Sequence, residues 1–387
     1  MKNDPITMAA PCLMGLEGLV GGELKRMGAG DVTPENGRVF FSGDETMLAR
    51  ANLWTRYAER ILILVGRFDA LTFDELFEGT KALPWERWIG KNDAFPVKGS
   101  SVSSKLFSVS DCQSIIKKAV VDRLSSVYKI PWFDETGPAR QIQFHIMKDS
   151  ACLMIDTSGD GLHKRGYRKV GVAAPIKETL AAALCDLAIV KPDSRVYDPM
   201  CGSGTILIEA ALKALNIAPG LKRSFACEGW GVIDRAVFTD ERERAASLER
   251  KDVNFRAYGS DVDPAAIDVA QGNAAKAGVA GYIDFTAGDV ADFRPEGERG
   301  VIICNPPYGE RLMTVSDARR LYAAMGRAFR RDSGWSSSII TPDEQFEQFF
   351  GGKADKRRKL YNGMIRCQLY MYFKDAGTAG QRTPPPK

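Results

Sequence analysis

VYDPMCGSGTILIEAA, residues 196–211, runs from a short apolar strand through a glycine turn into an apolar helix. Gly202 and Gly204 let the backbone turn sharply and approach a ligand. The helix that follows offers free N–H groups and a positive dipole end, which suit an anion. A phosphate loop would need Gly-Lys-Ser/Thr, which is absent, and the dinucleotide fingerprint needs a third glycine where Leu207 stands. Asp198, just ahead of the turn, would repel a pyrophosphate and accept hydrogen bonds from an ammonium. A ligand with both an ammonium and a carboxylate answers both features, and the amino-acid end of S-adenosylmethionine carries the two. Asp198, Cys201, Gly202, Gly204 and Thr205 are therefore the first candidate cofactor residues.

Working outward, strand-like and helix-like runs alternate from Pro175 onward, which predicts a parallel sheet covered on both faces. Pro175 is expected near the first turn of a helix with Ile176, Leu180, Leu184 and Leu187 on one face. Near the end, Asn362-Gly363 between apolar runs predicts a hairpin, so the sheet should finish with an antiparallel pair. The second strand ends in GSDVDP, where Asp261, with Val262 beside it, suits the ribose hydroxyls; Asp263 caps the helix opened by Pro264 and could also reach the ribose. The third strand ends in AGDV, where Asp289, followed by Val290, can accept from the adenine amine. Ligands of such sheets bind outside the carboxyl ends of the strands.

The fourth strand runs into IICNPPYGER, residues 302–311. An aromatic amine is a poor nucleophile because its lone pair is delocalised. The Asn305 side-chain oxygen and the Pro306 carbonyl can accept its two N–H groups and aim the lone pair at a methyl donor. Tandem prolines fix φ twice and remove two donors, leaving a stiff acceptor-rich corner. Tyr308 can stack on the target base, worth roughly 1–3 kcal/mol. Asn305, Pro306 and Tyr308 are the candidate catalytic residues, with Asn305 also touching the cofactor. Asparagine is no base, so the proton is expected to leave late, after the amine has become cationic. Cys201 and Cys304 read as small apolar residues, not nucleophiles.

A net charge of +4 over 387 residues excludes a polycation, but the charge is uneven. Residues 97–130 hold six Lys/Arg against two Asp, and the runs HKRGYRK (163–169) and KADKRRK (353–359) are dominated by bases. Such patches can attract nucleic-acid phosphates, which makes Lys98, Lys105, Lys117, Lys118, Lys164, Arg165, Arg168 and Arg311 candidate RNA contacts. Eight scattered cysteines without a CxxC pair, and only two histidines, argue against zinc or any other metal and against a disulfide framework. Apolar runs are too short to cross a bilayer, and no apolar leader opens the chain, so a cytoplasmic protein away from membranes is expected. Residues 1–160 read as an α+β region, with a boundary near 160.

LHKRGYR (162–168), PIKETLAAAL, DPMCGSGTILIEAA, GSDVDP, RSFACEGW (223–230) and NPPYGER together resemble the THUMP-containing class I RNA methyltransferases, the bacterial group similar to 23S rRNA guanine-N2 methyltransferases. The resemblance spans nearly the whole chain. It implies an α/β, Rossmann-like seven-stranded methyltransferase domain over 161–375, preceded by a ferredoxin-like module (1–68) and a THUMP-like RNA-binding domain (69–160); the tail at 376–387 reads from its own sequence as disordered. It also implies S-adenosylmethionine as cofactor, an RNA partner, and a place for HKRGYR near the RNA or the catalytic mouth. The corner itself does not choose its amine. A tRNA guanine-N2 methylase, a DNA adenine-N6 or protein glutamine-N5 methylase, and a non-catalytic RNA-binding assembly factor remain as alternatives to 23S rRNA.

Overall fold

The computed structural model describes residues 5–168, 176–308, 314–329 and 334–374. Arg311, Pro175 and the tail at 376–387 lie outside the described residues. The chain divides into two compact units. Unit 1 holds Met1–Cys12, Glu17–Leu162 and Gly220–Arg244; unit 2 holds Leu13–Leu16, His163–Pro219 and Ala245–Lys387.

Unit 1 contains β1 (Ile6–Pro11), α1 (Glu17–Met27), β2 (Gly30–Glu35), β3 (Arg38–Gly43), α2 (Glu45–Trp54), β4 (Leu62–Asp69), α3 (Phe73–Lys81), β5 (Val97–Val102), α4 (Val109–Tyr128), β6 (Ile142–Met147) and β7 (Ser150–Asp156). β1 and β2 were not anticipated. Period-two burial in β6, with Ile142, Phe144 and Ile146 buried and their neighbours half-exposed, marks one covered and one open face. The seven strands form one sheet in the order β2-β3-β1-β4-β7-β6-β5. β4 pairs with β1 through Leu62 and Ile63 and with β7 along its whole length. The two expected N-terminal modules thus share a sheet.

The segment 220–244, expected inside the 161–375 domain, folds with unit 1 instead. Its Phe225, Cys227, Trp230 and Phe238 are buried. The Gly220 amide donates to Leu53 O at 2.9 Å and the Cys227 amide to Thr157 O at 3.1 Å. The Arg140 guanidinium lies 4.4 Å from the centre of the Trp230 ring.

The remaining elements are α5 (Glu178–Leu187), β8 (Arg195–Asp198), α6 (Thr205–Ala214), α7 (Ala236–Ser247), β9 (Arg256–Asp261), α8 (Pro264–Ala277), β10 (Ile283–Ala287), β11 (Gly300–Cys304), α9 (Val315–Ala328), β12 (Trp335–Thr341), α10 (Phe346–Phe350), β13 (Lys356–Asn362) and β14 (Ile365–Tyr372). The sheet of unit 2 has the order β10-β9-β8-β11-β12-β14-β13. Its first five strands are parallel, and β14 and β13 close it antiparallel. From β8 the chain winds outward to β9 and β10, then returns to β11 on the other side. The order therefore reverses between β8 and β11, where a ligand crevice is expected. Tyr197, Tyr322, Phe329, Trp335, Phe346 and Tyr370 belong to one buried cluster in this unit. The closing hairpin is shifted by one position from the sequence expectation: Asn362 is the last residue of β13, paired with Ile365, and the turn is Gly363-Met364. Among the described residues, no helix is long and apolar enough to cross a membrane.

Candidate active site

β8 delivers Asp198 to the reversal point at 2% exposure. Its Oδ1 accepts the Met200 amide at 3.3 Å, and the Cys304 thiol at the end of β11 donates to the same carboxyl. Burial, reinforced by the nearby Asp261 charge, raises its pKa to about 7. A buried carboxyl with no cation beside it among the described residues is poised to receive one.

The glycine turn is held from two sides. The Cys201 amide donates to Ser260 O at 2.9 Å and the Gly202 amide to Asp261 Oδ2 at 2.9 Å. Asn273 Nδ2 donates to Ser203 O at 3.0 Å. Gly204 caps α6 at φ +78°, and a Cβ there would sit 3.0 Å from Phe285 and 3.1 Å from Ala270, so any side chain would be strained and crowded. Gly202, at φ +50°, faces open space.

At the end of β9, Asp261 Oδ1 accepts the Asp263 amide at 3.1 Å. Asp263 caps α8 by accepting the Ala265 amide at 2.9 Å. At the end of β10, Asp289 accepts the Ala291 amide at 2.8 Å. β11 is buried to Cys304, and Asn305 follows with its Oδ1 buried and without a hydrogen-bond partner among the described residues.

These strand ends surround a cavity of about 390 Å³, whose wall includes Asp198, Cys201, Gly202, Thr205, Asp261, Val262, Asp289, Val290 and Asn305. Asp263, Pro307 and Leu321 of α9 also contribute. Gly204 and Pro306 are not on the wall: Gly204 shapes the turn from behind, and Pro306 is buried. Tyr308 is not on it either. Its hydroxyl accepts from Asn362 Nδ2 at 2.6 Å, and burial raises its pKa. Asn362, the anchor of that ring, had no sequence signal beyond its place in a turn dipeptide. Burial pushes both the Cys201 and Cys304 thiols well up, with Asp198 the next cause for each, so neither is an activated nucleophile.

Within HKRGYR, Lys164 is exposed, whereas Arg165 and Tyr167 are buried. Arg165 is 4% exposed, with Nε 3.7 Å from the buried Glu209 of α6, and the Tyr167 hydroxyl donates to the same carboxylate at 3.0 Å. Arg168 donates to Ile176 O at 2.7 Å and Thr205 Oγ1 at 2.8 Å, with Nε 3.4 Å from Glu178. The motif clamps α5 and α6 behind the glycine turn, which removes Arg165 and Arg168 from the expected RNA-facing set. Lys117 is also committed: its ammonium bonds Glu135 and Phe95 O and lies over the Phe95 ring. Lys98, Lys105, Lys118 and Lys164 are exposed. Phe107 and Trp132, 81% and 76% exposed in unit 1, were not singled out, because no periodicity marks an aromatic on a loop. No cluster of three or more metal-ligating side chains occurs among the described residues.

The carboxylates at three successive strand ends, with Asp198 cationless and the Asn305 oxygen unpartnered among the described residues, fit S-adenosylmethionine with an amine beside it. Comparison with known proteins gives the same class. The model of the RMKL-like methyltransferase domain, UPF0020, matches residues 165–371, that of the RlmL ferredoxin-like domain 7–62, and that of the THUMP domain 70–156. The chain belongs to the RMKL-like UPF0020 methyltransferase family. Within this family setting, the chain is 44% identical to the "Putative RNA methyltransferase YpsC" of Bacillus subtilis, covering 97% of this chain and 98% of that protein. It is 34% identical to the ribosomal RNA large subunit methyltransferase K/L of Shewanella frigidimarina, covering 97% of this chain but 54% of that longer protein. Among solved structures, SMU.472, described as "a putative methyltransferase complexed with SAH", matches at TM-score 0.90 and 42% identity, covering 99% of this chain and 100% of that one. A Listeria monocytogenes protein described as a predicted N6-adenine-specific DNA methylase matches at TM-score 0.90 and 48% identity, over 96% of each chain.

Proposed function

We propose that this protein transfers a methyl group from S-adenosylmethionine to an exocyclic amine of a base in structured RNA, in the cytoplasm, with N2 of a guanosine in 23S rRNA as the leading target. The observation that carries the reading is the buried, unpartnered Asn305 Oδ1 in the wall of the same cavity as Asp198, Asp261 and Asp289. A buried acceptor without a donor is costly unless a ligand supplies one.

S-adenosylmethionine, when bound, supplies a methyl group on a cationic sulfur. Asp198 receives its ammonium, the N–H groups at the start of α6 its carboxylate, Asp261 its ribose and Asp289 with Val290 its adenine. Asn305 Oδ1 and the Pro306 carbonyl accept the two N–H groups of the target amine and orient its lone pair. Orientation of this kind can supply up to about 7–11 kcal/mol. Tyr308, fixed at its hydroxyl by Asn362, offers a stacking surface outside the cofactor cavity. Lys98, Lys105, Lys118, Lys164 and Arg311 are the remaining phosphate contacts.

The THUMP match and the names of the two relatives favour RNA; the Listeria description favours adenine N6 in DNA. Mass-spectrometric mapping of methylated nucleosides in rRNA, tRNA and DNA from a strain lacking the gene decides between them. Loss of one N2-methylguanosine in 23S rRNA supports the proposal. Loss confined to tRNA moves the target, and loss of N6-methyladenine from DNA overturns the RNA reading.

A further inference from the structure

The basic run at 353–359 plays no part in the site described above. It leads into β13, the edge strand of the unit 2 sheet. Two residues beyond Leu360 the strand ends at Asn362, whose side chain holds the Tyr308 hydroxyl; Cys367 of β14 contacts the same oxygen at 3.8 Å. The turn end of this hairpin is thus built against the residue that closes the NPPY corner. Its tip is Gly363-Met364, with Gly363 at φ +63° and Met364 97% exposed. Met364 has the highest exposure of any large apolar side chain among the described residues, and Ile365 beside it is 49% exposed. A tight two-residue turn ordinarily carries small or polar residues, so a long unbranched thioether there needs a reason.

Towards the tip, Lys359 and Arg366 make no ion pair among the described residues; farther back along β13, Arg357 is bound by Glu347 while Lys356 and Arg358 make none there. Tyr361 and Arg366 face each other across the strands, with Lys359 over the Tyr361 ring. Cations along a strand edge can serve simply to block edge-to-edge pairing. That account does not extend to an exposed methionine placed next to the anchor of a catalytic tyrosine. Apolar side chains projecting between basic flanks are the chemistry by which proteins enter a base stack. An enzyme that works on an amine of a paired base must hold the stack open once that base has swung out.

We propose that the β13–β14 hairpin is an RNA wedge: Met364 fills the space left in the stack by the extruded base, Ile365 supports it, and Lys359 and Arg366, the cations nearest the tip, hold the flanking phosphates. The wedge rests on the RNA-methylation reading and gives that site the means to keep its target extruded. Because the wedge acts after RNA has docked, it governs turnover more than RNA affinity.

The test uses the full-length protein, methyl-tritiated S-adenosylmethionine and total RNA from a strain lacking the enzyme, and compares wild type with Met364→Ala and Met364→Leu. Met364→Ala is expected to lower kcat by about five-fold or more while RNA and cofactor affinities stay within about three-fold. Met364→Leu, which keeps an apolar wedge, should retain at least about half of kcat. A smaller loss in Met364→Ala, a loss confined to RNA affinity, or a leucine variant as slow as the alanine variant overturns the wedge. Wild-type protein that methylates no RNA at all would instead refute the reading on which it rests.

Discussion

Asp261 Oδ2 accepts the Gly202 amide at 2.9 Å, so the end of β9 and the glycine turn after β8 are one hydrogen-bonded unit. The carboxylate that is to hold a ribose also fixes the loop that is to hold the amino-acid end. Asp261→Ala should therefore weaken S-adenosylmethionine binding by about 10–100-fold, the scale of one or two charge-assisted hydrogen bonds. Asp261→Asn keeps one acceptor for the amides and should fall between. Calorimetric titration measures both, and an unchanged affinity in the alanine variant removes Asp261 from the cofactor site.

Cofactor binding should weaken in acid. Burial holds Asp198 at a pKa of about 7, and an arriving ammonium favours its ionised form. At lower pH the carboxyl is protonated before the cofactor arrives, so affinity should fall by up to about ten-fold per pH unit below 7. The same raised value makes the free protein less stable as pH rises from 3.8, the unfolded value, to about 7, because the unfolded chain ionises first. Bound cofactor should cancel that loss. Titrations from pH 5.5 to 8 with wild type and Asp198→Asn check the sign: the asparagine variant should bind weakly with a flat profile across this range.

Asn305→Ala should separate chemistry from binding. Its oxygen has no hydrogen-bond partner among the described residues, so cofactor affinity should stay within about three-fold, while turnover falls by about 10²–10³, the cost of one positioned polar group. Single-turnover methylation alongside calorimetry reads both quantities. Equal loss of both would contradict the role assigned to Asn305.

The part of the site that lies at strand ends was legible because the chain itself carries the order: Asp198, Asp261, Asp289 and Asn305 each close an apolar run, and a doubly wound sheet brings such ends together. What failed was local reading of charge. HKRGYR carries the composition of a phosphate-binding loop, yet Arg165 and Arg168 point inward, because Glu209 and Glu178 lie in helices and their burial leaves no trace in the motif. The 220–244 segment failed for a related reason. Its aromatic residues announce burial, but nothing in their spacing says against which sheet. Tyr308 follows Asn305 in the same motif, but its bond to Asn362 spans 54 residues, beyond any periodicity.

Arg165→Ala should behave as a folding defect. It strips the buried Glu209 of its cation, and breaking such a pair costs about 3–5 kcal/mol. Urea denaturation should register that loss. RNA binding by the folded fraction should keep the wild-type salt dependence, because no phosphate contact has gone. A stable variant with a shallower salt slope would return Arg165 to the RNA surface.

Dividing the chain at the sequence boundary should fail, and for a specific reason. A fragment of residues 163–387 retains 220–244 but loses the rest of unit 1, the packing partner of that segment. Phe225, Trp230 and Phe238, each 4% exposed or less in the whole chain, would then face water, at about 1.5–3 kcal/mol apiece. The fragment should aggregate on size-exclusion chromatography. The same fragment with Phe225→Ser, Trp230→Gln and Phe238→Gln should run as a single species and bind S-adenosylmethionine within about ten-fold of the whole protein, because no wall residue of the 390 Å³ cavity lies in 220–244. An unaltered fragment that stays monodisperse would show that 220–244 does not need unit 1 to bury its aromatic side chains.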